Sequence, residues 1–141
     1  MKNLIYTILL SSVVLWTACS KKNEATQTEI KTGNNNVIRE NALPDGFPSD
    51  IPIYKDAKNM GSVKTSSGST VTFEINDKAK AVGDFYKQEL VKNGYEADPN
   101  NDKMSNDNQG VISFKKGGKT VDLTYKYNDA KGKTMLTILI R

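Results

Sequence analysis

Histidine is absent from the chain, and cysteine occurs once, as Cys19. Without an imidazole there is no Ser-His-Asp triad, no histidine general base and no histidine metal ligand. A single cysteine rules out an internal disulfide, so the fold must hold by core packing. Apolar runs are equally scarce. Beyond the first 18 residues none approaches the ~20 that a bilayer-spanning helix needs. Charge of one sign is also lacking, since 20 basic residues face 16 acidic ones for a net +4. That excess is too small and too scattered for nucleic-acid recognition, and no nucleic-acid partner is expected. Carboxylates remain as the available acid–base groups, and no enzymatic activity, cofactor or metal is expected.

What is present begins with a patterned N-terminus. Met1-Lys2-Asn3 is a short basic lead, and Leu4 to Trp16 is apolar apart from Thr7, Ser11 and Ser12. Thr17-Ala18-Cys19 follows, then the polar run Ser20-Lys21-Lys22-Asn23-Glu24. This is the three-part layout of a secretory signal peptide. The small residues ending on cysteine resemble a bacterial lipoprotein signal. That resemblance implies cleavage after residue 18 and acyl chains such as palmitate on Cys19. It also implies a cell-envelope location, with Ser20 directing the protein to the outer membrane where the cell has one. Each buried methylene of such an anchor contributes about 0.8 kcal/mol. In the family pattern an aliphatic residue, usually Leu, stands three places before the cysteine. Trp16 occupies that place here, a departure that bears on processing efficiency.

The sequence divides into a signal peptide (1–18), a lipidated, disordered tether (19–42) and a folded domain (43–141). The tether is rich in Lys, Asn, Thr and Gln and too poor in apolar side chains to offset its ordering entropy. From Leu43, three prolines within nine residues predict an extended, non-helical segment. Phe47, Ile51, Ile53 and Tyr54 supply its apolar anchors. Thr70 to Ile75 alternates with period two and predicts a strand, as does 60–65 before it. The period then changes. Ala79, Val82, Phe85, Tyr86 and Leu90 share one face of a helix over about 78–93, with Asn76 or Asp77 as its cap and Gly94 as its C-terminal stop. Tyr95 to Ala97 reads as a short strand and 98–109 as a polar loop. Strands are expected at 110–115, 120–127 and 134–140, the first two joined by a Gly117-Gly118 hairpin. Met135 and Leu139 make the last strand nearly apolar on both faces, which predicts a central or partly covered strand. The fold class is therefore α+β: a single antiparallel sheet of about four to six strands with one helix packed on one face.

The segment Phe47-Pro48-Ser49-Asp50-Ile51-Pro52-Ile53-Tyr54, followed by Ala57, resembles the opening of a group of small uncharacterised bacterial envelope proteins. In that group a Phe-Pro-x-Asp-[Ile/Val]-Pro-x-Tyr segment precedes a β pair and one helix. The helix carries a Phe-Tyr pair, here Phe85-Tyr86, and a Gly-aromatic pair follows it, here Gly94-Tyr95. The resemblance covers roughly residues 44 to 141. It implies a shared α+β domain and no particular activity.

Three sets of residues invite chemistry. The loop from Asp98 to Gly110 is rich in calcium-type oxygen ligands, but the spacing puts Lys116 where an EF-hand requires a bidentate Glu, so a solvated loop is expected. Asp84 and Glu89 do not share a helical face well, and Glu74 and Asp122 face each other only in one strand register. The tyrosines and a basic hairpin tip carry the interaction reading. Tyr54, Tyr95, Tyr127, Lys116 and Lys119 are the candidate contacts for an envelope protein or wall component. The predicted function is thus a non-enzymatic interaction module held to a membrane through Cys19. A small-molecule or lipid carrier using the sheet–helix interface is the alternative, and a carboxylate-based enzyme the second.

Overall fold

The computed structural model describes residues 28–32, 35–39, 43–44 and 46–141. The expected signal peptide and Cys19 lie outside these residues. Within the segment expected as a tether, β1 (Thr28–Thr32) and β2 (Asn35–Arg39) form an antiparallel pair. The tether expectation therefore does not hold throughout 19–42. Thr32 pairs with Asn35, and the two residues between them in the chain are Gly33 and Asn34. Gly-Asn is a two-residue hairpin signal that polarity obscured. β2 runs alongside the main sheet at β3 without joining its ladder.

The proline segment is less extended than its composition implies. Backbone N–H groups of Phe47, Ile51 and Ala57 donate to the carbonyls three residues earlier, at 2.9, 3.1 and 3.1 Å. Pro44 and Pro48 each open a turn and a third, proline-free turn follows Tyr54, while Pro52 stays extended; Ile51 and Tyr54 reach the core between these turns.

The main sheet contains β3 (Lys58–Thr65), β4 (Gly68–Ile75), β5 (Glu96–Ala97), β6 (Gln109–Lys116), β7 (Lys119–Asn128) and β8 (Lys133–Ile140). Its order is β3-β4-β8-β7-β6-β5, with every pair antiparallel. The C-terminal strand β8 is central, as its two-sided apolar pattern requires. The register stacks Val71 beside Ile138 and Leu123, and Phe73 beside Leu136 and Tyr125. One face of the sheet is thereby apolar. The single helix α1 (Ala79–Lys92) packs on it over β5, β6 and β7.

Ala79, Val82, Tyr86 and Leu90 are fully buried on α1 and meet Ile112, Phe114, Val121 and Leu123, which are equally buried. Burying each large apolar side chain here contributes about 1.5 to 3 kcal/mol. The helix stops where Gly94, at φ +84°, donates to the Val91 carbonyl while Tyr95 donates to Leu90. The start differs from expectation. Lys78 occupies the N-cap and its side chain makes no cap bond. Asp77, one place earlier, accepts from the Lys78 N–H through one oxygen and from the Tyr54 hydroxyl through the other.

Two glycines inside regular elements admit one tyrosine. A Cβ on Gly83 of α1 would lie 2.5 Å from the Tyr125 hydroxyl, and one on Gly110 of β6 would lie 2.3 Å from it. Tyr125, on β7 between these neighbours, is only 3% exposed.

Candidate functional site

The β6–β7 hairpin turns through Gly117 and Gly118, both at positive φ (54° and 81°). Two such residues make the mirror-type turn whose twist matches the flanking strands. Lys116 and Lys119 pair across its mouth. Beside it lies a cleft of about 340 Å³ lined by Gly94, Glu96, Lys115, Lys116, Lys119 and Thr120, with the two turn glycines at its rim.

Asp50 fixes the inner wall of this cleft. The Lys116 ammonium donates to Asp50 Oδ2 at 2.7 Å, and the Tyr95 hydroxyl donates to Oδ1 at 3.0 Å. Lys116 also donates to the Asn93 carbonyl at 2.8 Å, while the Asn93 amide donates to the Asp50 carbonyl at 2.9 Å. The same ammonium stands 5.1 Å from the centre of the Tyr95 ring. Three separate elements, the proline segment, the helix end and the hairpin, are thus joined at one carboxylate. The hydrogen bond from Lys116 is the main reason that Asp50 ionises below its usual value of 3.8. Burial, with Asp50 alongside, pushes the Tyr95 phenol up to about 12. Lys116 is engaged inward. Lys115 and Lys119 are exposed and form no ion pair among the described residues.

The remaining expected contact residues gather at the other end of the helix. Tyr54 donates to Asp77 Oδ2 at 2.8 Å, and Thr134 donates to the Asp77 carbonyl at 2.6 Å. The Lys78 ammonium sits 3.9 Å over the ring of Tyr127. Burial, then the bond to Asp77, raises Tyr54 to about 12. The five candidates therefore form two groups, Tyr95, Lys116 and Lys119 in one and Tyr54 and Tyr127 in the other. Tyr54 and Tyr95 are 7% and 3% exposed, so they cannot present an aromatic surface to a partner; Tyr127 is half-buried. Alternation with apolar neighbours put the two buried rings in the core, where their hydroxyls find carboxylates. Asp50 was not among the sequence candidates, although it lies inside the Phe-Pro-x-Asp motif.

The carboxylate pairs do not form. Glu74 and Asp122 sit on β4 and β7 with β8 between them and their rows offset, Glu74 opposite Met135 and Asp122 opposite Leu139. Lys133 holds Glu74 at 2.6 Å, and Arg141 holds Asp122. Asp84 and Glu89 pair with Lys80 and Lys92 instead. In the 98–109 loop, Asn101 is buried and mimics a strand partner. Its side-chain amide donates to the Ser113 carbonyl at 3.1 Å, and its side-chain oxygen accepts from the Ser113 N–H at 2.8 Å. Asn106 accepts from the N–H groups of Asn108 and Gln109, both at 2.9 Å. Among the described residues no three acidic or cysteine side chains converge on a point that could hold a metal, and no helix is long and apolar enough to cross a membrane.

No curated protein and no solved structure matches the chain. A START domain-like family model matches residues 56–132. The matched span runs from the turn before β3 through α1 to the β7–β8 turn, which covers the hairpin cleft and all but the last strand of the sheet. With more than half of its residues inside that match, the chain belongs to the START domain-like family.

Proposed function

We propose that this protein is a non-enzymatic ligand-binding module, anchored in a bacterial envelope through a lipid on Cys19, that captures an anionic group of an envelope component in the β6–β7 hairpin cleft. Membership of a START domain-like family favours ligand binding over catalysis. The observation that carries the site is the cleft itself, about 340 Å³, with Lys115 and Lys119 at its mouth in no ion pair among the described residues and Lys116 pinned by Asp50 behind them. Its volume falls at the lower end of the range for small-ligand sites. A pre-positioned lysine needs no ordering when the ligand arrives, which removes part of the entropic cost of binding.

The carrier alternative places a ligand between helix and sheet. The family match leans that way, but the side chains meeting there are packed to zero exposure. A domain of this size has little further volume beside its own core. The clefts that do open lie at the margins of that interface.

In-cell crosslinking of the full chain tests the reading. An envelope partner should be recovered from the native protein and lost from a Lys115→Glu/Lys119→Glu variant that stays folded. A Cys19→Ser version should lose it as well. Equal recovery from the charge-reversed variant would remove the cleft, and equal recovery from Cys19→Ser would remove the anchor.

A further inference from the structure

The hairpin cleft contains one acidic side chain, Glu96, that the capture of a simple anion does not need. A carboxylate beside a bound anion repels it and costs affinity. Its position is set by the sheet. Glu96 on β5 stands opposite Lys115 on β6, and Lys115 stands opposite Thr120 on β7. Side chains directly opposite share one face of a sheet. An acid, a base and a hydroxyl therefore form one row across three strands at the cleft. The Glu96 carboxylate and the Lys115 and Lys119 ammonium groups form no hydrogen bond or ion pair among the described residues. The backbone N–H and carbonyl of Thr120 are taken up by Arg141, at 2.8 and 2.9 Å, which leaves its hydroxyl for a ligand.

Charge and lining narrow the ligand. Asp50 neutralises Lys116 at 2.7 Å. The cleft then presents two cations, Lys115 and Lys119, and one anion, Glu96, for a net charge of +1. No large apolar side chain lines it, so an acyl chain has nothing to pack against and the ligand is polar throughout. A phosphate monoester carries about −1.5 to −2 at neutral pH. One ammonium group on the same molecule brings its total near −1, the complement of the cleft. Neighbouring strands stand about 4.8 Å apart, so a link of two or three atoms suffices to set the two ligand charges against Lys115 and Glu96.

We propose that the hairpin cleft selects a zwitterion, an amino phosphate with its phosphate at Lys115 and Lys119 and its ammonium at Glu96. This deepens the reading of the cleft as an anion site and rests on it. Glu96 is the specificity determinant, since it penalises a plain anion and rewards one that carries a cation.

The test uses the full chain in a non-ionic detergent, with the amide signals of Gly117 and Gly118 as reporters. The probes are O-phosphoethanolamine and ethyl phosphate, which differ by the amino group. O-phosphoethanolamine should bind with a Kd of about 1–20 mM and about fivefold more tightly than ethyl phosphate. Glu96 is exposed on a two-residue edge strand, so Glu96→Gln leaves the core untouched. This variant should weaken O-phosphoethanolamine about fivefold and tighten ethyl phosphate about twofold, effects of opposite sign. Lys115→Gln/Lys119→Gln should weaken both about tenfold. Glycerophosphoethanolamine distinguishes the sources: tighter binding than O-phosphoethanolamine assigns the site to an esterified headgroup and weaker binding to a free monoester, and either supports the zwitterion. Equal affinity for O-phosphoethanolamine and ethyl phosphate, or a Glu96→Gln effect of the same sign on both, would overturn the zwitterion and leave the anion site standing. No saturable shift with either compound at about 100 mM would overturn both.

Discussion

Single residues in this domain are tuned by neighbours distant in sequence. Gly83 is the clearest case. Helix propensity alone says that Gly83→Ala should stabilise α1 by about 1 kcal/mol. The Tyr125 hydroxyl, 2.5 Å from the new Cβ, reverses the sign. We expect Gly83→Ala to lose about 1 to 3 kcal/mol, the usual penalty for overpacking. Urea denaturation should show that most of this penalty vanishes in a Tyr125→Ala background, because the two sites are coupled; additivity would refute the contact. This coupling was illegible in the sequence. Gly83 lies 42 positions from Tyr125, and nothing in local periodicity links them. The Asp50–Lys116 bond, spanning 66 positions, escaped for the same reason. The tyrosines and lysines were legible as a set, but the set was one list rather than two clusters, since spacing shows the face of an element and not its neighbour across the sheet.

At the scale of the element, period decided most of the fold. β4, β7 and β8 alternate over six or more residues, and α1 carries four buried apolar positions at helical spacing. These signals are long enough to outweigh local noise. The β1–β2 hairpin was missed because a run dominated by polar residues does not stand out from a linker. Element rigidity should grade across the sheet. Amides of β8 and β7, paired on both sides, should exchange with solvent slowest, and those of β3 and β5 at the edges fastest. Native-state hydrogen exchange would check this, and comparable protection of β3 and β8 would contradict the order. The Asn101 clamp on Ser113 adds a corollary, since its side-chain bonds tie the 98–109 loop to β6 beside the backbone bonds made by Asp98, Asn106 and Val111.

For the whole molecule the titratable groups divide cleanly by pH. Asp50, Asp77, Glu74 and Asp102 all ionise below their usual values, each chiefly through a hydrogen bond, from Lys116, Tyr54, Lys133 and Lys87 respectively. A depressed carboxylate contributes stability above its unfolded value, 3.8 for Asp and 4.5 for Glu, and loses it as pH falls through the lower folded value. Tyr54 and Tyr95 are raised from 10.0 to about 12, so their contribution is complete below pH 10 and disappears as pH climbs toward 12. With no histidine to titrate between, Tm should be level from about pH 5 to 9 and decline on both sides. Thermal melts across pH would show this, and Tyr95→Phe should shrink the alkaline decline. A slope near pH 6.5 would contradict it.

The ends of the sheet have a further consequence. One edge is a strand of two residues, and the other is β3, bulged between Asn59 and Gly61 and studded with Lys58 and Lys64. Short, kinked or charged edges give a neighbouring chain no straight row of backbone groups to copy. Under the proposed lipid anchor, copies would meet in two dimensions at high density, and those blunted borders would keep encounters transient. Many modules could then share that proposed surface as separate units, without zipping into a continuous sheet.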